Sequence, residues 1–156
     1  MIKVLLFDFS RTLIHPRPSS FTGKLNDLYR DATSKKNFNF YNNFYLNREL
    51  LDFIKALKDK YTLAIYTTDT LQNDPAVKPT LDEIFKFVFA ANDLNISKRE
   101  SPGYIVIAEK LKVNPEEILF VDDLLANVEA ARKAGLQIIQ FTNNKKLFTE
   151  LKNKLS

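Results

Sequence analysis

The chain contains no cysteine, which excludes disulfides, thiolate metal sites and a cysteine nucleophile. It also lacks a long apolar run. The N-terminal stretch Ile2 to Phe7 is cut off by Asp8, too short for a signal sequence or a membrane span, and the expected location is cytoplasmic. A dense basic stripe is missing too: the formal charge is +4, and Lys and Arg are spread along the chain in short clusters such as Lys35-Lys36 and Lys145-Lys146. These read as solvated faces, so neither nucleic acid nor membrane is an expected partner. The positive balance would still draw in a phosphate-bearing substrate. No internal repeat is visible.

What remains is the composition of an ordinary globular protein, with 45% hydrophobic and 27% charged residues. At 156 residues the expectation is one domain that buries roughly two thirds of its unfolded surface. Five runs rich in branched and aromatic residues read as buried parallel strands: Ile2 to Phe7, Thr62 to Tyr66, Phe87 to Ala90, Ile118 to Val121 and Gln137 to Phe141. Between them, Leu50, Leu51, Phe53, Ile54 and Leu57 recur at helical spacing, as do Tyr104, Ile105, Ile107, Ala108 and Leu111. Further boundary signals are a Thr80/Glu83 capping box, Ser101-Pro102 and Asn114-Pro115 as N-cap with Pro at the first helical position, and Gly135 ending a helix from near Leu125. A short amphipathic helix carrying Leu147, Phe148 and Leu151 is expected before Ser156. Alternating strands and helices imply an α/β, three-layer Rossmann-like fold with a five-stranded, mainly parallel sheet.

Residues 14–47 break this rhythm. They hold Pro16, Pro18, a Ser-Ser-Phe-Thr-Gly stretch and a polar, aromatic run from Lys35 to Tyr45, with one helix expected over Lys24 to Thr33. The segment reads as a small insertion over the strand ends.

In open α/β sheets, ligands bind at the carboxyl edge of the strands, where strand order reverses. This chain puts Asp8 after its first strand, Thr67-Thr68 after the second and Asp122-Asp123 after the fourth. A single Asp after a strand is usually a helix N-cap. Acids after two separate strands repel one another unless a hard cation sits among them, and an oxygen-rich site of this kind suits magnesium.

The string Phe7-Asp8-Phe9-Ser10-Arg11-Thr12-Leu13 resembles the first motif of the haloacid dehalogenase-like hydrolase superfamily, usually Asp-x-Asp-Gly-Thr-Leu. Asn114 to Asp123, followed by Asn127-Val128-Glu129-Ala130-Ala131 and Ala134-Gly135, is similar to its fourth motif and following helix. Aligned on these ends, Thr67 falls on the second-motif hydroxyl residue and Lys98 on the third-motif Lys. The likeness covers residues 1–13 and about 48–142, and leaves 14–47 as a short, cap-like insertion on a single core domain.

The resemblance implies a magnesium-dependent phosphohydrolase with Asp8 as nucleophile, forming an aspartyl-phosphate. Asp8, the backbone carbonyl of Ser10, Asp122 and Asp123 would hold the metal, with Asn127 in support. Lys98 would neutralise charge on Asp8 and the transferring group. Thr67, with Thr68 beside it, would bind the phosphoryl oxygens, as would Ser10, Arg11 and Lys98. The substrate would be a phosphorylated small molecule or an exposed phosphate on a larger partner.

Two departures matter. Ser10 stands where the family's phosphatases carry a second Asp, and a serine hydroxyl is a poor acid or base near neutral pH. That leaves two readings: a hydrolase, or a binding or regulatory protein on the same fold that has lost turnover. Arg11 replaces the usual Gly, either to bind a substrate anion or to face solvent. His15, the only histidine, is either a substitute acid in that loop or solvated. Metal-independent dehalogenation is disfavoured by the Asp122-Asp123 pair.

Overall fold

The computed structural model describes residues 1–156. In chain order its elements are β1 (Val4–Phe7), β2 (Ile14–Pro16), α1 (Leu25–Thr33), α2 (Phe40–Asn43), β3 (Phe44–Leu46), α3 (Arg48–Lys55), β4 (Thr62–Thr67), α4 (Lys78–Ile84), β5 (Phe87–Ala90), α5 (Ser101–Leu111), β6 (Ile118–Asp122), α6 (Leu125–Lys133), β7 (Gln137–Gln140) and α7 (Asn144–Leu155). Short 3-10 turns at Leu71–Asn73 and Pro115–Glu117 precede α4 and β6.

Five strands form one parallel sheet in the order β5-β4-β1-β6-β7. Phe7 is in register with Ile65 on one side and Val121 on the other. The chain builds outward from β1 to β4 and β5, then returns to add β6 and β7. Strand order therefore reverses at β1, and its carboxyl end is where such a sheet opens a crevice.

Both faces of β1 are buried, which is why its sequence is continuously apolar rather than alternating. Leu5 and Phe7 join one core cluster with Leu50, Leu51 and Ile54 of α3, Leu81 of α4, and Leu147 and Leu151 of α7. Val4 and Leu6 join another with Tyr104, Ile107 and Ala108 of α5 and Ala130 and Ala131 of α6. These are the two outer layers of an α/β sandwich, as the sequence pattern predicts. No helix is long and apolar enough to cross a membrane.

The insertion builds its own support. β2 and β3 pair antiparallel, with His15 opposite Tyr45. The aromatic run is structural: Phe40 packs 5.1 Å from Phe44 between ring centroids, and Tyr29 of α1 lies 6.4 Å from each. Leu25, Phe40, Phe44 and Leu46 belong to the same cluster as the α3 leucines, so the insertion is packed onto the sheet's helical layer.

Two helix starts differ from the sequence expectation. α4 begins at Lys78, so Thr80 lies inside its first turn and forms no capping box. The preset φ of Pro79 suits that first turn, and Glu83 pairs instead with Lys55 at 2.5 Å. In α5 Ser101 is the first helical residue and Glu100 holds the N-cap position. Ser97 takes up the local turn chemistry, accepting from the Arg99 N–H at 3.1 Å. By contrast Asn114 and Glu117 form a capping box, though around a 3-10 turn, and Gly135, at φ 92°, terminates α6 in the left-handed region open to glycine.

Candidate active site

Asp8 follows the last residue of β1, and its N–H donates to the Val121 carbonyl at 2.8 Å, so the ladder with β6 continues to the nucleophile candidate. Asp122 ends β6 and Asp123 follows it. Parallel pairing brings the three together: one carboxylate oxygen from each of Asp8, Asp122 and Asp123 lies within 4.8 Å of the others.

Lys98 arrives from the loop between β5 and α5. Its buried ammonium donates to Asp8 Oδ1 and lies 2.9 Å from Asp122 Oδ2. The rings of Tyr66 and Phe120 flank it, with centroids 5.4 Å and 5.7 Å away. Tyr104 donates its hydroxyl to the Lys98 carbonyl at 2.7 Å and meets both rings edge-on. Neighbouring Gly103 permits this closeness, because a Cβ there would stand 2.9 Å from both Ser97 O and Tyr66 Oη. The sequence reading missed Tyr66, Tyr104 and Phe120 as site residues. Each sits at an apolar position of its element, and nothing local distinguishes it from core.

Asp122 is held on all sides. Its Oδ1 accepts from the Leu124 N–H at 2.8 Å, and its Oδ2 accepts from Asn127 at 3.0 Å as well as from Lys98. Asp123 anchors through its backbone, where the carbonyl accepts from Gln140 at 3.1 Å.

Three carboxylates against one ammonium leave surplus negative charge in a buried place. Burial, followed by repulsion from Asp122, pushes Asp8 up to about 8 against the pull of Lys98. The same two causes push Asp123 up to about 6. Burial pulls Lys98 down, but Asp8 and Asp122 outweigh it and hold the ammonium above its ordinary value. Clustered hard oxygen donors with uncompensated charge fit a magnesium ion.

The cluster opens into a cleft of about 700 Å³ whose wall includes Ser10, Arg11, Thr68, Asp69, Asn127 and the start of α1. Thr67 lies buried at the end of β4 and is not part of that wall, whereas Thr68 is. Arg11 does not simply face solvent. It adopts φ 62° and donates from Nη2 to the carbonyls of Phe21 and Gly23 at 2.9 and 2.8 Å, tying the first loop to the insertion. His15 leaves the cleft: its ring stacks on Tyr45 with centroids 5.4 Å apart, and burial lowers its pKa.

Fold and geometry together define an α/β protein with a carboxylate-rich, metal-compatible crevice at the switch point of its sheet. The chain belongs to the haloacid dehalogenase-like hydrolase family, whose model matches residues 20–135, a stretch that includes Lys98, Asp122 and Asp123 and begins after Asp8. It is 28% identical over 92 residues to the "Phosphorylated carbohydrates phosphatase" of Thermotoga maritima, covering 59% of this chain and 43% of that protein. Against Enolase-phosphatase E1 of Caenorhabditis elegans it is 45% identical over 56 residues, 35% of this chain and 23% of that protein. The chain thus spans less than half the length of these curated relatives. Its fold is similar to that of a HAD family enzyme from Bacteroides thetaiotaomicron crystallised with magnesium and inorganic phosphate, with a TM-score of 0.70, 17% identity, and 95% of this chain and 100% of that one covered.

Proposed function

We propose that the protein is a magnesium-dependent phosphohydrolase working through an aspartyl-phosphate on Asp8. The observation that carries this reading is the contact of Asp8 with Lys98 inside a three-carboxylate cluster facing an open cleft. The phosphatase names of the relatives in Thermotoga maritima and Caenorhabditis elegans support it. So does the magnesium and phosphate bound by the Bacteroides enzyme of the same fold.

Asp8, Asp123 and the Ser10 carbonyl would hold the metal. Asp122, already accepting from Leu124, Asn127 and Lys98, would meet it or its waters. A magnesium ion held by these residues would supply charge neutralisation for the phosphoryl group under attack. Lys98 pulls Asp8 toward its ionised form against burial and Asp122 and offers its ammonium to the transferring group. Thr68, Ser10 and Arg11 line the same space and would donate to phosphoryl oxygens. Residues 14–47 act as a small cap over a core domain of 1–156. Such a cleft accepts a phosphorylated small molecule or an exposed phosphate on a larger partner.

Hydrolysis of p-nitrophenyl phosphate with magnesium, compared with Asp8→Asn, tests the reading. The variant is expected to lose more than about a thousandfold in rate, as removal of a covalent nucleophile does. Equal rates in the two proteins would overturn it.

Ser10 favours a second reading, in which the site binds metal and phosphate without turnover. Tight binding of inorganic phosphate with magnesium, together with no product from any phosphate compound, would establish that reading in place of the first.

A further inference from the structure

The identity of the leaving group can be narrowed, on the basis of the phosphohydrolase reading above. In an in-line displacement the leaving oxygen departs on the side of phosphorus opposite the attacking carboxylate. Asp8 is buried at the cleft floor, so that oxygen faces the exposed mouth, where Lys24, Asp27 and Arg30 of the insertion meet Asp69 and Arg99 of the core loops.

A proton donor is hard to find there. Asp27 and Asp69 are both paired to Arg30, the latter at 2.8 Å. Both carboxylates are engaged as acceptors of the Arg30 guanidinium rather than free to meet a leaving oxygen. Ser10 has a weakly acidic hydroxyl, and His15 is stacked on Tyr45 outside the cleft. Outside those two pairs the mouth holds the cations of Lys24 and Arg99, groups that stabilise an anion as it forms.

We propose that the cleft takes phosphate compounds whose leaving oxygen departs as a stable anion, the chemistry shared by acyl phosphates and phosphoanhydrides, in preference to alkyl phosphate monoesters. In the first step the Asp8 oxygen bonds to phosphorus and the bond from phosphorus to the leaving oxygen breaks. Its electron pair stays on a carboxylate or phosphate that needs no proton. The resulting aspartyl-phosphate is itself an acyl phosphate. Water attacks its phosphorus, the Asp8 carboxylate leaves with the bonding electrons, and the water proton passes to phosphate or solvent. An alkyl monoester would have to expel an alkoxide, which needs protonation as it departs, a contribution typically worth about a hundredfold to ten-thousandfold.

The test compares kcat/KM of the wild-type protein with magnesium on acetyl phosphate, pyrophosphate, p-nitrophenyl phosphate and glycerol 3-phosphate. Acetyl phosphate or pyrophosphate is expected to exceed glycerol 3-phosphate by about a thousandfold or more, and the better of the two identifies the source of the anion. Ser10→Asp is expected to narrow that gap by about a hundredfold by restoring a proton donor. A wild-type gap within about tenfold would overturn the inference and leave the phosphohydrolase reading standing. Widening of the gap in Lys24→Ala would also overturn it, since Lys24 would then be protonating the alkyl leaving group. No turnover and no phosphate burst with any of the four compounds removes both.

Discussion

Lys98 holds its ammonium 2.9 Å from Asp122 while donating to Asp8, so one buried cation joins the ends of β6 and β1. It is the only cation in contact with the three-carboxylate cluster. The stability of that edge of the sheet and its chemistry therefore depend on the same side chain.

Replacing that cation tests the link. Lys98→Ala leaves two buried carboxylates facing each other, and removing one partner of a buried pair costs about 3–5 kcal/mol. The loss is expected in urea unfolding near pH 8 with chelator present. Asp8 is already held up near 8 and Asp123 near 6, so both bind protons in the folded state that they release on unfolding. Acidification toward pH 5 should recover part of the loss. A deficit independent of pH would contradict this account.

Magnesium should matter most at the alkaline end. Both carboxylates have folded values raised above the ordinary carboxylate range. As pH rises from about 4 to 8, the metal-free fold loses stability as their charges appear. Metal needs those same deprotonated oxygens. The gain in Tm from added magnesium is expected to be larger at pH 8 than at pH 5.5, and to vanish in Asp123→Asn. Equal gains at the two pH values would argue against a site at Asp8 and Asp123.

Tyr104→Phe removes one hydroxyl and leaves the Lys98 carbonyl without its donor. The hydrogen bond is worth about 1 kcal/mol, and its loss lets the Lys98 loop drift from Asp8. The expected result is a drop of about fivefold to tenfold in kcat with KM little changed. A change in KM alone would mean that Tyr104 serves substrate binding rather than the placement of Lys98.

Arg11→Gly separates backbone strain from tethering. The left-handed conformation costs a non-glycine residue about 1–2 kcal/mol, so the substitution relieves strain at φ 62°. It also cuts the contacts to Phe21 and Gly23. Amide hydrogen exchange should quicken across residues 18–24 while global stability holds or rises. Unchanged exchange in that segment would show that the tether is idle.

The three central strands β4, β1 and β6 were legible because burial on both faces makes them continuously apolar, as with Val4-Leu5-Leu6-Phe7. Asp8 and Asp122-Asp123 were legible as polar residues closing such runs. The start of α4 was not: Thr80 and Glu83 spell a capping box, yet Pro79 and the preceding turn at Asp74 place the helix start three residues earlier. The polar, aromatic run from Lys35 to Tyr45 read as part of a small insertion, with no periodicity to show that Tyr29, Phe40 and Phe44 pack on one another.

Periodicity and short motifs therefore sufficed for the sheet, its layers and the acids along its edge, because each follows from interactions within a few residues. Who meets whom at that edge required the folded chain. The Tyr104 clamp on Lys98, the reach of Arg11 to Gly23 and the turning away of His15 depend on where separate segments come to lie. The hydroxyl of a core tyrosine looks the same in sequence whatever it faces, and its role comes from the carbonyl that packing sets 2.7 Å away.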